Sequence, residues 1–459
     1  MKVLLALPRF EPNANPPLGV GYIAAVLKRN GFEVEVLDPT FEGWDFAVKR
    51  LKKPDFDVLG FSCYTMNVNR ALELTAIAKK ANPKLLAVFG GAHPSIEPEA
   101  TIKEKLVDAV IIGEGEYTFL ELAQALKKKG KLEGIRGLWF KKGKKIVRNP
   151  PRPLIQNLDE LPFPARELFP MEKYLNAVFG TTAWAVKQPS TSIMAGRGCP
   201  FQCTYCSTKL VFGLSARFRS AKNVVEEIIE LKEKYGVKGL NFVDDTFTLN
   251  RKVVEELCNE LISRKVGVEW AAHTRVNNAS LELFKKMKRA GCTVVGMGVE
   301  SGNQFVLDNY IKKGIKLSEA ENAFALAKKA GLITDAYFMI GIPGETRKNI
   351  DETIEYALKL NLDVVNFNIT RPMPRTEMME IAKKAGRLEF SNWDDFDFTA
   401  KPIYYCDEWT PEELQLLLKK AYRRFYFRPS YVLKQLFSIR GYSDIKRIFN
   451  GLQMVLAKS

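Results

Sequence analysis

The sequence predicts an α/β protein: an N-terminal doubly wound parallel sheet, then a partial (β/α)6 barrel of the TIM type, then a small, mostly helical C-terminal region. Three observations carry this. Short apolar runs alternate with helical stretches from Lys2 to about Gly130. A second alternating series runs from Ser192 to Pro374. Between them lies "NPPRPLIQNLDELPFPARELFP", whose prolines suit an ordered linker. The expected division is residues 1–130, a linker with a hairpin over 131–190, the barrel over 191–375, and a basic helical region over 376–459.

In the first series "KVLLAL", "EVEVLD", "DVLGFS", "KLLAVFGG" and "AVIIGEGE" read as strands. "LGVGYIAAVLKRNG" and "NRALELTAIAKKANP" read as helices that stop at Gly31 and Pro83. Strict alternation of the two makes a parallel sheet. The hairpin "LWFKKGKKIVRN" opens the connector. In the second series the strands are "TSIMAG", "GLNFVDD", "VEWAAHTRV", "TVVGMGVES", "TDAYFMIGIP" and "VVNFNITRP". Helices such as "NVVEEIIELKEKYG" and "LSEAENAFALAKKAG" separate them. Six βα units fall short of a closed eight-fold barrel, and an open one places its chemistry at the C-terminal ends of the strands. Thr410 and Pro411 start the C-terminal helix.

The 459 residues include 69 Lys and Arg against 53 Asp and Glu, a net charge of +16 that favours anionic partners without choosing among them. "MKVLLALPRF" reads as a first strand, because Pro8 and Arg9 cut the apolar run short of a signal segment. No apolar stretch approaches the roughly 20 residues that span a bilayer. The seven cysteines are Cys63, Cys199, Cys203, Cys206, Cys258, Cys292 and Cys406, an odd set with four singletons. That is unlike a secreted disulfide framework, so a cytoplasmic location and metal chemistry for the triplet are expected.

The triplet lies in "GRGCPFQCTYC", directly after the first barrel strand. Structural zinc would want a fourth Cys or His nearby, and the only histidines are His93 and His273. Three thiolates suit three irons of a [4Fe-4S] cube whose fourth iron stays open. Adventitious zinc is the alternative.

CxxxCxxC with an aromatic residue, Tyr205, before the last cysteine resembles the signature of the radical S-adenosylmethionine (SAM) superfamily. The resemblance implies that Cys199, Cys203 and Cys206 hold the cluster. It places Asp244 and Asp245 of "FVDDTF" near the methionyl amino group, Glu300 and Ser301 of "GVESG" at the ribose, and Ile342 of "FMIGIPGE" beside the adenine. Read alone, the aspartates could cap a helix and Glu300 could form a strand-end salt bridge. Arg275 stands at a strand's C-terminal end, where a guanidinium can grip a SAM carboxylate or contact the ribose. His273 reads as a satisfied core histidine.

A doubly wound sheet ahead of such a barrel resembles the cobalamin-binding subgroup. The matching residues are Leu18 and Gly19 in "PPLGVGYIAAVL", Ser62 and Tyr64 in "LGFSCYT", Gly90, Gly91 and His93 in "FGGAHPSIEPEA", and Gly113 and Glu114 in "IIGEGE". The DxHxxG element that supplies a lower cobalt ligand in many cobalamin proteins is absent, so cobalt is expected to have no histidine. A nucleotide-binding or vestigial sheet is the bland alternative. The tRNA methylthiotransferases also place a sheet before the barrel, but carry a second cysteine triplet there, where this chain has only Cys63.

From Pro411 onward ten Lys or Arg face three Asp or Glu. Beside them Phe425, Tyr426, Phe427, Tyr431 and Phe437 read either as a segment docked on the barrel's open edge or as a membrane-surface face. The resemblance thus implies a cobalamin-dependent radical SAM enzyme that cleaves SAM to a 5′-deoxyadenosyl radical and methylates an unactivated carbon, with radical cyclisation or C–C coupling as the related outcome. Its substrate would be a small molecule or a lipid or isoprenoid, and its electron donor a ferredoxin or flavodoxin. Nucleic acid is not an expected partner, although a basic nucleic-acid-binding protein with structural zinc is the contrasting non-enzyme reading.

Overall fold

The computed structural model describes residues 1–9, 15–53, 55–177 and 186–437. The first sheet has five parallel strands, β1 (Lys2–Ala6), β2 (Glu33–Leu37), β3 (Val58–Ser62), β4 (Leu86–Gly90) and β5 (Ala109–Ile111). Two antiparallel strands, β6 (Leu138–Lys142) and β7 (Lys145–Arg148), complete the order β2-β1-β3-β4-β5-β6-β7. The hairpin expected in the connector is therefore the far edge of this sheet. Period-two alternation explains its two buried faces. Val3 and Leu5 pack with Val20 and Phe119, from helices Leu18–Arg29 and Glu116–Lys127, whereas Leu4 and Ala6 pack with Leu51 and Leu74 on the opposite side. The strand order reverses at β1, and ligands of such sheets lie beyond the carboxyl ends near that point.

The second sheet is an open half-barrel. Its parallel strands are β8 (Ser190–Ile193), then, after the short antiparallel pair β9 (Gly196–Arg197) and β10 (Arg217–Phe218), β11 (Gly239–Phe242), β12 (Glu269–Arg275), β13 (Cys292–Glu300), β14 (Ile333–Ile340) and β15 (Val364–Ile369). They pair in chain order, β8-β11-β12-β13-β14-β15, as right-handed βα units must. Side-chain caps start the helices: Ser220, Asn250, Ser280 and Thr346 each accept an amide from the first turn. Inside the barrel, Val186, Ala271 and Val294 with Ile333 plug the N-terminal end. Above this plug His273 Nε2 lies 2.9 Å from Tyr337 Oη, Tyr337 donates to Asp335 at 2.8 Å, and Asn366 donates to the other Asp335 oxygen at 2.8 Å. His273 is thus the satisfied core histidine expected, and burial pushes its pKa down.

The half-barrel's last strand has a bare edge, and the C-terminal helix Pro411–Tyr426 closes it with phenols instead of a seventh strand. Tyr422 Oη accepts from Phe367 N at 3.2 Å and donates to Phe367 O at 3.0 Å. Tyr426 does the same at Val365, at 3.0 and 2.8 Å, and Tyr431 donates to Asp363 O at 2.9 Å. Of the aromatic residues expected to insert into a membrane, Phe425 is fully buried, and Tyr426 and Tyr431 are half-buried against the barrel. Their rings pack on one another at 4.9 to 5.4 Å, so docking on the open edge is what these three do. Phe427 and Phe437 remain exposed, and the basic stretch from 438 onward lies outside the described residues. Among the described residues no helix is long and apolar enough to cross a membrane.

Deleting either clasping hydroxyl would strand a buried amide and carbonyl at once. Tyr422→Phe and Tyr426→Phe should each cost about 1–3 kcal/mol in urea unfolding. Tyr405→Phe, whose half-buried ring lies away from this edge, should cost far less.

Candidate active site

The cysteine loop leaves β8 and is gripped from below by two aspartates at the end of β11. Asp244 accepts from the Ala195 amide at 3.1 Å and also from Gly196, while Asp245 accepts from the Gly198 amide and from Thr208 Oγ1 at 3.1 Å. Burial pushes Asp244 up to about 7, against the pull of those amides, and raises Asp245 as well. The aspartates therefore brace the loop, and their caps go to loop amides rather than to a helix. Gly198, at φ +85°, is the residue that permits the bend, since a Cβ there would lie 2.3 Å from Ser215 O. Thr246 Oγ1 sits 3.7 Å from Cys199 Sγ. Thr204 anchors the loop's far side, donating its amide to Ile311 O at 3.0 Å and its hydroxyl to Tyr310 O at 2.6 Å. Burial raises the Cys206 thiol.

Tyr205 joins this loop to β13. Its hydroxyl donates to Glu300 Oε1 at 3.0 Å, and Lys313 Nζ reaches the same oxygen at 2.5 Å. Burial, then the Glu300 charge, pushes the Tyr205 pKa well up. Glu300 occupies φ +76° at a bulge in the β13–β14 register, a strained position for a side chain with a Cβ. Two other residues expected at SAM have partners within the protein. Ser301 is fully buried, with its hydroxyl 3.2 Å from Thr353 Oγ1 and accepting from Asn303 N. The Ile342 side chain is buried in its own turn, whose amide and carbonyl are bound by Glu345. Arg275 Nη1 donates to Cys203 Sγ at 3.5 Å, with the guanidinium 3.7 Å from the Phe201 ring.

Beyond the loop, β9 and β10 fasten the barrel to the first sheet. Arg197, two residues before Cys199, donates to Glu114 at 2.8 Å and to Glu116 at 2.7 Å. Arg217 donates to the other Glu114 oxygen at 2.7 Å and to Ile155 O at 2.7 Å, and the Ile155 amide also donates to Glu114. All four charged side chains are at least nine-tenths buried. The Glu114 carboxylate, expected at the cobalamin, is thus engaged by two arginines and the Ile155 amide. A neighbouring cluster pairs Glu227 with Arg166 and Arg219, with Tyr22 Oη 3.4 Å from Arg219 and the Tyr22 ring under Arg197.

At the carboxyl ends of the first sheet stand half-buried Ser62 on β3, Gly90 on β4 and Gly113 beyond β5, with Tyr64 exposed at their rim. Leu18 and Gly19 open the first helix, and nothing lies within 4 Å of where a Gly19 Cβ would be. Gly91 serves the fold instead: at φ +95° it lets Cys63 and His93 bond backbone to backbone, and a Cβ would lie 2.8 Å from Cys63 N. His93 is also corrected. Its ring is buried beneath Trp393, centroids 4.7 Å apart, with Nδ1 3.2 Å from Thr65 Oγ1, so it packs in the core and does not face a ligand. The helix Ala92–Ile96 after β4 packs on the helix Thr208–Phe212 after the cysteines, and a Gly113 Cβ would lie 3.7 Å from Val211 O. The two sheets therefore turn their carboxyl ends toward one another.

The Radical SAM superfamily model matches residues 193–357, and the B12 binding domain model matches residues 12–123. A protein of Pyrococcus horikoshii described as an uncharacterized methyltransferase is 38% identical over 99% of this chain and 98% of its own length. The chain belongs to the radical SAM superfamily, in its B12-binding subgroup. A cytidylyl-2-hydroxyethylphosphonate methyltransferase of Streptomyces wedmorensis is 28% identical, covering 82% of this chain and 80% of that protein. The radical SAM methyltransferase TsrM of Kitasatospora setae, solved with tryptophan and a SAM analogue, shares the fold with a TM-score of 0.73 at 22% identity, over 84% of this chain and 78% of that one.

The cofactors of this radical SAM enzyme are a [4Fe-4S] cluster, SAM and cobalamin, and the residues present fit each. Cys199, Cys203 and Cys206 lie on one loop at the barrel mouth inside the Radical SAM match, and three thiolates suit three irons of a [4Fe-4S] cube. Asp244 Oδ1 is buried with no partner, an acceptor left over at the barrel mouth where SAM would bind. Ser62, Gly90 and Gly113 stand at three adjacent strand ends with little side chain of their own, where the backbone can approach a bulky ligand. The B12-binding match thereby displaces both the zinc-protein reading and the bland reading of the sheet. Residues that escaped sequence reasoning are Arg197, Arg217, Glu116, Lys313 and Thr246. Arg197 and Glu116 carried a signal: a charge in "GRGC" beside the first cysteine and charges at alternate positions in "GEGE".

Two outcomes follow from burial. Glu114→Gln should cost roughly 3–5 kcal/mol, since it leaves Arg217 without its carboxylate, and limited proteolysis should then cut nearer the cysteine loop. Burial pushes His93 down to about 4 from an ordinary 6.5. The folded state therefore binds fewer protons than the unfolded state between those values, so its contribution is full above pH 6.5 and lost as pH falls toward 4. Urea titrations should show about 3 kcal/mol of stability disappearing across that window in the wild type beyond the loss in His93→Gln.

Proposed function

We propose that this enzyme transfers a methyl group to carbon on a small, polar substrate. The observation that carries the proposal is the convergence of the two sheets' carboxyl ends, fastened by Arg197 and Glu114, which sets the cobalamin strand ends against the helix that follows the cluster loop. Bound there, cluster and SAM would supply the hydrogen-abstracting 5′-deoxyadenosyl radical and cobalamin the methyl group. The chain's own part is to brace the cysteines through Asp244 and Asp245, to orient Tyr205 and Lys313 about Glu300, and to exclude water from the loop. Methylation is favoured over cyclisation because both relatives named above are methyltransferases, one of them acting on a phosphonate nucleotide.

A polar substrate suits the His273–Tyr337–Asp335–Asn366 layer midway down the barrel, and the lipid reading loses support as Phe425, Tyr426 and Tyr431 dock inward. Exposed Phe427 and Phe437 keep a peripheral membrane contact as the second reading. An acidic one-electron carrier of the ferredoxin or flavodoxin kind suits the net charge of +16. Seven free cysteines suit the reducing cytoplasm.

The triple variant Cys199→Ala, Cys203→Ala, Cys206→Ala should take up no cluster iron and release no 5′-deoxyadenosine under strong reductant. Release by that variant would sink the assignment. Reconstituted with cob(II)alamin, the wild type should give an EPR spectrum without nitrogen superhyperfine splitting, and His93→Ala should leave that spectrum unchanged.

A further inference from the structure

The buried arginines divide into two kinds. Arg166, Arg197, Arg217 and Arg219 each meet a buried glutamate. Arg371 and Arg275 are as deeply buried, at 7% and 6% exposure, and neither forms an ion pair with a carboxylate among the described residues. Arg371 gives its donors to the backbone carbonyls of Asp395, Ala400 and Lys401, whereas Arg275 alone of the two reaches a sulfur. Its donors go to Lys313 O, to Asn277 Oδ1 at 3.4 Å and to Cys203 Sγ at 3.5 Å. The plane rests on Phe201, inside the cysteine loop itself, at 3.7 Å. An aromatic face offsets part of a buried cation's cost and neutral acceptors offset more, and an anion at the sulfur would offset what remains. The nearby Glu300 carboxylate is held at Oε1 by Lys313 and Tyr205 and makes no ion pair with Arg275. The sulfur that Arg275 does reach belongs to a cluster ligand.

We propose that Arg275 is the counter-cation of the [4Fe-4S] cluster, donating to the Cys203 thiolate, and not the SAM carboxylate or ribose ligand that its place in the sequence suggests. The assignment rests on the cluster reading above. An N–H bond and a fixed positive charge at a ligating sulfur stabilise the more negative, reduced cluster, and so raise its reduction potential. Arginine suits the post because it stays charged when buried and its planar fork can hold Lys313 O and Cys203 Sγ at once. Through Lys313, the same guanidinium also links the cluster loop to the residue that holds Glu300.

The test is an EPR-monitored redox titration of the anaerobically reconstituted holoenzyme in three forms: wild type, Arg275→Lys and Arg275→Gln. At a fixed poise the ratio of reduced to oxidised cluster should fall about tenfold in Arg275→Gln, which is about 59 mV for a one-electron couple. Arg275→Lys, keeping the charge but not the fork, should fall between. Equilibrium affinity for SAM, measured on the same samples, should change less than threefold. Loss of iron from Arg275→Gln alone would also favour the assignment, because the charge is what the lysine form retains. An unchanged potential with weakened SAM binding would overturn it and make Arg275 a SAM ligand, and loss of the cluster from both variants would reduce Arg275 to a loop brace. A wild type that takes up no cluster would instead overturn the reading beneath it.

Discussion

The buried meeting of Glu114 and Glu116 with Arg197 and Arg217 is the constraint on which the rest of the molecule turns. Burying four charges is worthwhile only if each finds opposite charge and hydrogen bonds at once. Here the two glutamates come from the end of the first sheet and the two arginines from the short antiparallel strands that flank the cysteine loop. Neither half can satisfy itself alone. The cysteine that follows Arg197 by two residues is consequently placed by the other domain as much as by its own.

That dependence explains what could and could not be read in advance. Strands, helices and the six-unit barrel were legible because alternation and caps act over a few residues: the run "KVLLAL" makes a strand wherever it sits, and Ser220 or Asn250 caps the helix beside it. The cysteine triplet was legible because its spacing is itself the chemistry. What stayed hidden was partnership across distance. Glu114 looked like a ligand contact until Arg197 and Arg217, 83 and 103 residues on, claimed both its oxygens. His93 and Gly91 looked like slot residues, yet one is roofed by Trp393 from the far end of the chain and the other lets two backbone segments touch.

The site also shows how an active centre stores cost. Asp244 keeps an oxygen without a partner, Glu300 sits at a backbone angle that its Cβ resists, and Arg275 carries a charge without a carboxylate. These three debts surround one loop and are what ligands would settle. On the barrel's outer face the Trp270 indole, by contrast, donates to Ala290 O at 2.9 Å.

The phenol clasp on β15 has a different consequence, concerning how the half-barrel breathes. Paired strands protect one another's amides through a ladder that opens only when the sheet does. The amides of Val365 and Phe367 are instead covered by side chains of a separate helix. Their hydrogen exchange therefore reports the undocking of residues 411–426, an event that leaves the five remaining strand pairings of the barrel intact. The outermost barrel strand is thus tied to the solvent clock of the C-terminal helix, while β11 to β13, beside the cysteines, keep the slower clock of the core.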